Sequence, residues 1–209
     1  MTTLHEKFPK EHINEMPLAY FAGRIITIIS KREADKAVDY LLRQDILGFD
    51  TETRPTFKRG QCHQVALLQV ATPDTAFLFR LNKTGITDSI VWLLEDQRIT
   101  KVGLSLHDDF LQLHKRRMFN TGAFIDIQDE AKDIGIADMS MQKLYANIFH
   151  RKISKGQQLT NWEADVLTVS QQRYAATDAW ACIMLHQEIQ RLKQSGDYRI
   201  IRDIQTEHT

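Results

Sequence analysis

Three short stretches hold the residues whose types and spacing could do chemistry. In Ile46–Thr53 (ILGFDTET) an apolar run ends in two carboxylates, Asp50 and Glu52. Strand side chains alternate faces, so these two acids share a face and Thr51 points the other way. Like charges at that spacing repel, and burying either one unpaired costs several kcal/mol, so basic partners, water or a cation must compensate. In Val102–Leu113 (VGLSLHDDFLQL) Asp108 and Asp109 follow a second apolar run and open a helical pattern. Acids are favoured at helix N-termini, so either could be a cap rather than a ligand. In Tyr174–Trp180 (YAATDAW) Tyr174 and Asp178 stand one helical turn apart, beside a stripe of Ala175, Cys182, Leu185, Ile189 and Leu192. Asp178 is either a partly solvated acid at a helix edge or one more member of a cluster. Four carboxylates meeting at one point need divalent cations, and hard oxygen donors suit magnesium or manganese. Two such ions about 3.5–4 Å apart stabilise both the attacking and the leaving oxygen of a phosphoryl displacement.

The elements that must position these residues are legible in outline. Gly23–Ser30 is β-branched and reads as a strand. The helical stripe Ala34, Val38, Leu41 and Leu42 follows, opened by Ser30 and Glu33 in a capping-box pattern. A strand ends at Asp50. Two further strands, QVALLQVAT and AFLFRL, flank the turn TPDT. DSIVWLLED reads as a helix, ITKVGLS as a strand running into the helix of Asp108 and Asp109, and FIDI as a short strand. The rest is helical, ending in a long helix over Ser170–Lys193. Strands with inserted helices, then helices, predict an α/β domain with a mixed sheet and helices packed on it. Residues 1–22 read as an N-terminal extension and 23–209 as one domain.

Composition narrows the classes. The formal net charge is zero, so no global basic field announces a nucleic-acid partner; a local patch or metal would have to meet one. No apolar run reaches the roughly 18 residues of a membrane span, and the first dozen residues lack a secretory layout. The two cysteines, Cys62 and Cys182, form neither a disulfide framework nor a zinc site. A cytoplasmic setting is expected. The eight histidines show no metal-ligand spacing. Arg151, Lys152 and Lys155 near Trp162 offer cations for phosphates and a face for stacking, or else a solvated loop and a core tryptophan. His114–Arg117 (HKRR) reads as charge that complements a helix C-terminus.

Taken in order, the three motifs resemble the DEDDy-type 3′→5′ exonuclease family, which includes ribonuclease D and the exonuclease domain of the Werner helicase. Arg59–Thr72 and Ser140–Glu163 also resemble that family, and the likeness covers about residues 24–193. It implies a ribonuclease H-like fold with a mixed five- or six-stranded sheet flanked by helices. It further implies release of nucleoside 5′-monophosphates from the 3′ ends of DNA or RNA, with two Mg2+ or Mn2+ ions. By this resemblance Asp50, Glu52 and Asp178 hold one ion, Asp50 and Asp109 the other, and Tyr174 orients the attacking water. Matching Val102–Gly103 to the family's second motif makes Asp109 the ligand and leaves Asp108 as a neighbouring cap. Thr53 either contacts the terminal 3′ hydroxyl through its backbone or is a loop-end threonine. Lys155 and Trp162 are the candidate substrate contacts. The implied partner is a nucleic acid with a free 3′ end. A sister branch of the family has histidine where this chain has Tyr174. A non-catalytic binding domain of the same fold would lack at least one motif acid, and none is lacking here.

Overall fold

The computed structural model describes residues 1–58, 60 and 62–202. Arg59 and Gln61, which fall in one of the family-like stretches, lie outside the described residues.

The chain opens with β1 (Thr2–His5) and a single helical turn, α1 (Lys10–Ile13). Next come β2 (Arg24–Ile28) and α2 (Lys31–Leu41). Ser30 caps α2 as its sequence predicts: its side chain accepts from the Glu33 backbone N–H, and the Glu33 carboxylate accepts from the Ser30 N–H at 2.9 Å. The strand bearing the first two acids, β3 (Ile46–Thr53), precedes the antiparallel pair β4 (Val65–Ala71) and β5 (Thr75–Arg80). A short α3 (Leu81–Thr84) and α4 (Asp88–Glu95) lead to β6 (Thr100–Gly103), α5 (Leu106–His114) and β7 (Phe124–Asp126). Three helices follow: α6 (Ile127–Asp133), α7 (Met141–Phe149) and the long α8 (Val169–Ser195). The last strand is β8 (Tyr198–Ile201).

Six strands form one mixed sheet in the order β2-β5-β4-β3-β6-β7. β4 runs antiparallel to both β3 and β5, and the remaining neighbours are parallel. Alternation along β3 divides its side chains between two cores. Leu47 and Phe49 join Val38, Leu41, Ile90 and Leu94 of the layer formed by α2, α4 and α5. Ile46 faces Ile183 and the opposite layer of α6, α7 and α8. Burying these two faces of apolar area is the main source of stability.

Two features of β3 prepare the site. β6 pairs with it only over Ile46–Gly48 and then turns away into α5, so the end of β3 projects beyond its neighbour. The ladder with β4 also slips between Glu52 and Thr53, a bulge of the kind that ends pairing and re-aims side chains.

The first 22 residues are folded against the domain. β1 pairs in parallel with β8, and Leu4, Phe8 and Ile13 are buried. Asn147 replaces a strand partner for His5: its amide oxygen accepts from the His5 N–H at 2.9 Å and its nitrogen donates to the His5 carbonyl at 2.7 Å. Arg151 and Lys152, weighed above as phosphate ligands, donate instead to the Leu18 and Asn14 carbonyls of this segment. His114–Arg117 is likewise a set of ties. The Arg116 guanidinium donates to the Val65 carbonyl, and Arg117 to the Ile86 carbonyl and Asp88. No helix of the described residues is long and apolar enough to cross a membrane.

Candidate active site

Asp50 and Glu52 leave β3 on the face covered by α8, and Asp178 comes down from α8 to meet them. One carboxylate oxygen from each of the three lies within 4.8 Å of the other two. The approach is as close as backbones allow. A Cβ placed on Gly48, one residue pair before Asp50 on the same face, would stand 1.9 Å from the Ala179 carbonyl oxygen. Glycine in the strand and the small side chains of Ala175, Ala176 and Ala179 on the helix let α8 lie directly on the sheet. That places Asp178 within reach of two acids on a strand. The helix is fixed at its start by a capping box between Thr168 and Gln171.

Asp109 arrives from the other layer, in the first turn of α5. The Thr51 hydroxyl, on the opposite face of β3 from Asp50 and Glu52, donates to its Oδ1. Asp109 is thus beside the cluster without being inside it. Asp108 is exposed. Neither acid caps α5: Asp126, from the end of β7, accepts from the backbone N–H groups of Ser105 and Leu106 at 3.1 and 2.9 Å. With the cap supplied from elsewhere, the half-buried Asp109 is the member of the pair that faces the site.

Burial raises all four carboxyls above their ordinary range, and repulsion within the cluster adds to it at Asp50 and Glu52. Asp50 is held well above it, by desolvation and then by Asp109, Glu52 and Asp178. Glu52 is pushed up to about 9 by burial and the charges of Asp178 and Asp109. Asp178 is pushed up to about 7 by burial, against the pull of a hydrogen bond from Tyr174 and the charge of Lys155. Asp109 reaches about 6 by burial, opposed by its bond to Thr51. Such a set holds protons at neutral pH more tightly than ordinary carboxyls do, and a divalent cation that supplies the missing positive charge would displace them. Every donor is a carboxylate oxygen, which fits a hard divalent ion.

The carboxylates open into a cavity of about 280 Å³, whose far wall includes Leu104, Gln142, Ile153 and Lys155. Lys155 is thus on the same cavity as the carboxylates. Tyr174 lines the same cavity, and burial pushes its phenol above the usual range, so its hydroxyl keeps its proton. Trp162 is a correction. It is fully buried among Ala66, Leu67, Leu78, Leu167 and Ala175, and it offers no face to a base. Its ring lies 6.0 Å from that of Tyr174, so it backs the tyrosine instead. Thr53, past the bulge, is half-buried and not among the residues lining the cavity.

Sequence reasoning missed Gln69. It is fully buried and pairs with Asp50 across β3 and β4. Its Nε2 stands 3.5 Å from Asp50 Oδ2, and its Oε1 has no partner among the described residues. A glutamine in the otherwise apolar run VALLQVA was the available signal.

Residues 25–193 match the family profile described as 3′-5′ exonuclease. The chain belongs to the 3′-5′ exonuclease family. The class of enzyme expected from the three motifs is the class of this family. Among its relatives, the mouse bifunctional 3′-5′ exonuclease/ATP-dependent helicase WRN is 27% identical over 154 residues, 71% of this chain and 11% of the helicase. The chain thus spans about a tenth of that protein. An Arabidopsis thaliana 3′-5′ exonuclease is 27% identical over 209 residues, 91% of this chain and 73% of its own. The exonuclease fold is also that of the Aedes aegypti Nibbler EXO domain. It superimposes with a TM-score of 0.76 at 20% identity, covering 84% of this chain and 91% of that one.

Proposed function

We propose that this chain removes nucleoside 5′-monophosphates one at a time from the 3′ ends of DNA or RNA, using two divalent ions, magnesium or manganese. The observation that carries the reading is the convergence of Asp50, Glu52 and Asp178 within 4.8 Å beside Tyr174, with Asp109 next to them. Cations bound there would supply an activated water and charge stabilisation for the leaving oxygen. Asp50, Glu52 and Asp178 would hold one ion, and Asp50 with the free oxygen of Asp109 the other. The chain's own groups do the rest. Tyr174 keeps its proton, so its hydroxyl orients the attacking water and does not act as a base. Lys155 offsets the negative charge of the scissile phosphate. Leu104 and Ile153 would give the reacting end of the strand an apolar surface to rest on. Gln69, whose Nε2 lies 3.5 Å from Oδ2 of Asp50, would help to orient the carboxylate that would serve both ions.

Time courses on 5′-labelled DNA and RNA oligonucleotides in magnesium, manganese or excess chelator test this. The expected result is a ladder shortening from the 3′ end, with mononucleotide product, and none in chelator. Internal fragments would point to an endonuclease. Binding without cleavage in any metal would point to a non-catalytic nucleic-acid-binding domain of the same fold.

A further inference from the structure

A second cavity, about 250 Å³, shares Ile153, Ser154 and Tyr174 with the carboxylate cavity but none of its acids. Its other walls come from Leu18–Tyr20 and from Val169, Arg173 and Thr177 on the first turns of α8. The segment before β2 is strapped down on both sides of Tyr20. The Ala19 N–H donates to the Lys152 carbonyl at 2.8 Å and the Phe21 N–H to Thr177 Oγ1 at 3.0 Å, and both residues are buried. With both neighbours buried, Tyr20 is left 51% exposed, and it lines the cavity. The Arg173 guanidinium is held 5.2 Å from the centre of that ring. Among the described residues the arginines in ion pairs are Arg54, Arg98, Arg117 and Arg191; Arg173 is not one of them. No acid lines this cavity. It therefore presents a half-exposed aromatic ring with a guanidinium over it that is in no ion pair among the described residues, against an uncharged wall. That is the complement of one nucleotide, a flat base with an anionic phosphate.

We propose that this cavity is a second nucleotide subsite, in which one base stacks on Tyr20 and its phosphate pairs with Arg173 while the 3′ end of the same strand reaches the carboxylates. The proposal rests on the exonuclease reading above, and it adds which residues grip the strand away from the cut. Two measurements test it. The first is the salt dependence of oligonucleotide binding by the metal-free protein in chelator, followed by fluorescence anisotropy. Arg173→Ala should weaken binding and flatten the slope of log Kd against log salt by about 0.7, the value for one phosphate contact on a single strand, and Arg173→Lys should restore the slope. The second is turnover. Tyr20→Ala should raise KM about tenfold with kcat changed less than twofold, within the range of base–aromatic stacking, and Tyr20→Phe should behave as the unmodified protein. Placing a single abasic residue at successive positions from the 3′ end should reproduce that tenfold loss at one position only. At that position Tyr20→Ala should cost nothing further, which identifies the nucleotide bound. An unchanged salt slope in Arg173→Ala, or a Tyr20→Ala loss that persists at every abasic position, would overturn the subsite. If no substrate is shortened at all, the exonuclease reading fails, while the binding measurement in chelator still decides the subsite.

Discussion

The two halves of the carboxylate site are held by different forces. On one side Asp50, Glu52 and Asp178 are fixed by backbone: a strand with its ladder to β4, and a long helix lying on Gly48 with no side chain between. On the other side Asp109 is fixed by one side-chain hydrogen bond, from Thr51, at the start of a nine-residue helix. The first half is preformed at the level of the fold, and the second is adjustable at the level of a rotamer. An ion held by the first half should therefore bind to geometry that already exists, whereas one held through Asp109 depends on a single hydroxyl to keep that carboxylate aimed.

The largest effect should come from removing ligands of the preformed half. Asp50→Ala, Glu52→Ala and Asp178→Ala should each lower turnover on the order of a thousandfold, equivalent to several kcal/mol of lost charge stabilisation. The fold should persist, because each change also relieves like-charge repulsion. In chelator the melting temperature should be unchanged or higher. A variant that loses activity with its circular dichroism would show that the acid was structural.

Next is the contact that makes this half rigid. Gly48→Ala puts a methyl group into the Ala179 carbonyl, so α8 must move off β3 and carry Asp178 with it. Overpacking of this kind costs roughly 1–3 kcal/mol. A misplacement near 1 Å costs about a hundredfold in rate. Both should appear, as a lower melting temperature and a fall in kcat. A stable variant of full activity would show that the helix does not set the position of Asp178.

That contact also marks where the sequence stops being informative. The strand at Ile46–Thr53, the capping box at Ser30 and the shared faces of Asp50 with Glu52 and of Tyr174 with Asp178 are local features, and the chain displays them directly. What fails is non-local. A tryptophan's type does not say whether it faces a base or a core, and Trp162 faces the core because Ala66, Leu67 and Leu78, far earlier in the chain, form its pocket. The choice between Asp108 and Asp109 as cap could not be made locally, since the cap is Asp126 from the end of the next strand. Gly48 gave no signal at all, because the residue it makes room for is Ala179.

The pH response separates the halves by charge. A carboxyl whose folded pKa is raised binds its proton more tightly when folded. Its stability contribution is present below its unfolded pKa near 4 and is lost as pH rises through the folded value. Glu52, at about 9, and Asp178, at about 7, should make the metal-free protein less stable across pH 5–8. Asp109, at about 6, should finish its smaller contribution by the lower part of that window. Melting temperatures in chelator should therefore fall with pH. Glu52→Gln should flatten the fall more than Asp109→Asn above pH 7, and excess magnesium should reverse it, because binding needs the deprotonated acids. Equal slopes in the unmodified protein and Glu52→Gln would contradict the burial of that charge.

The smallest effect should come from the adjustable half. Thr51→Val keeps the shape of the side chain and removes only the hydroxyl that holds Asp109 Oδ1. Asp109 keeps both its charge and its free oxygen, so chemistry at saturating metal should change by less than a few fold. What it loses is aim, and losing an orienting partner of a metal ligand costs about ten- to a hundredfold in metal affinity. The half-saturating manganese concentration should rise by about tenfold, with the melting temperature in chelator nearly unchanged, and Thr51→Ser should restore it. Asp109→Asn, which removes the charge itself, should not be rescued by any manganese concentration. If Thr51→Val and the unmodified protein respond to manganese identically, Asp109 is positioned by α5 alone, and the two halves are equally preformed.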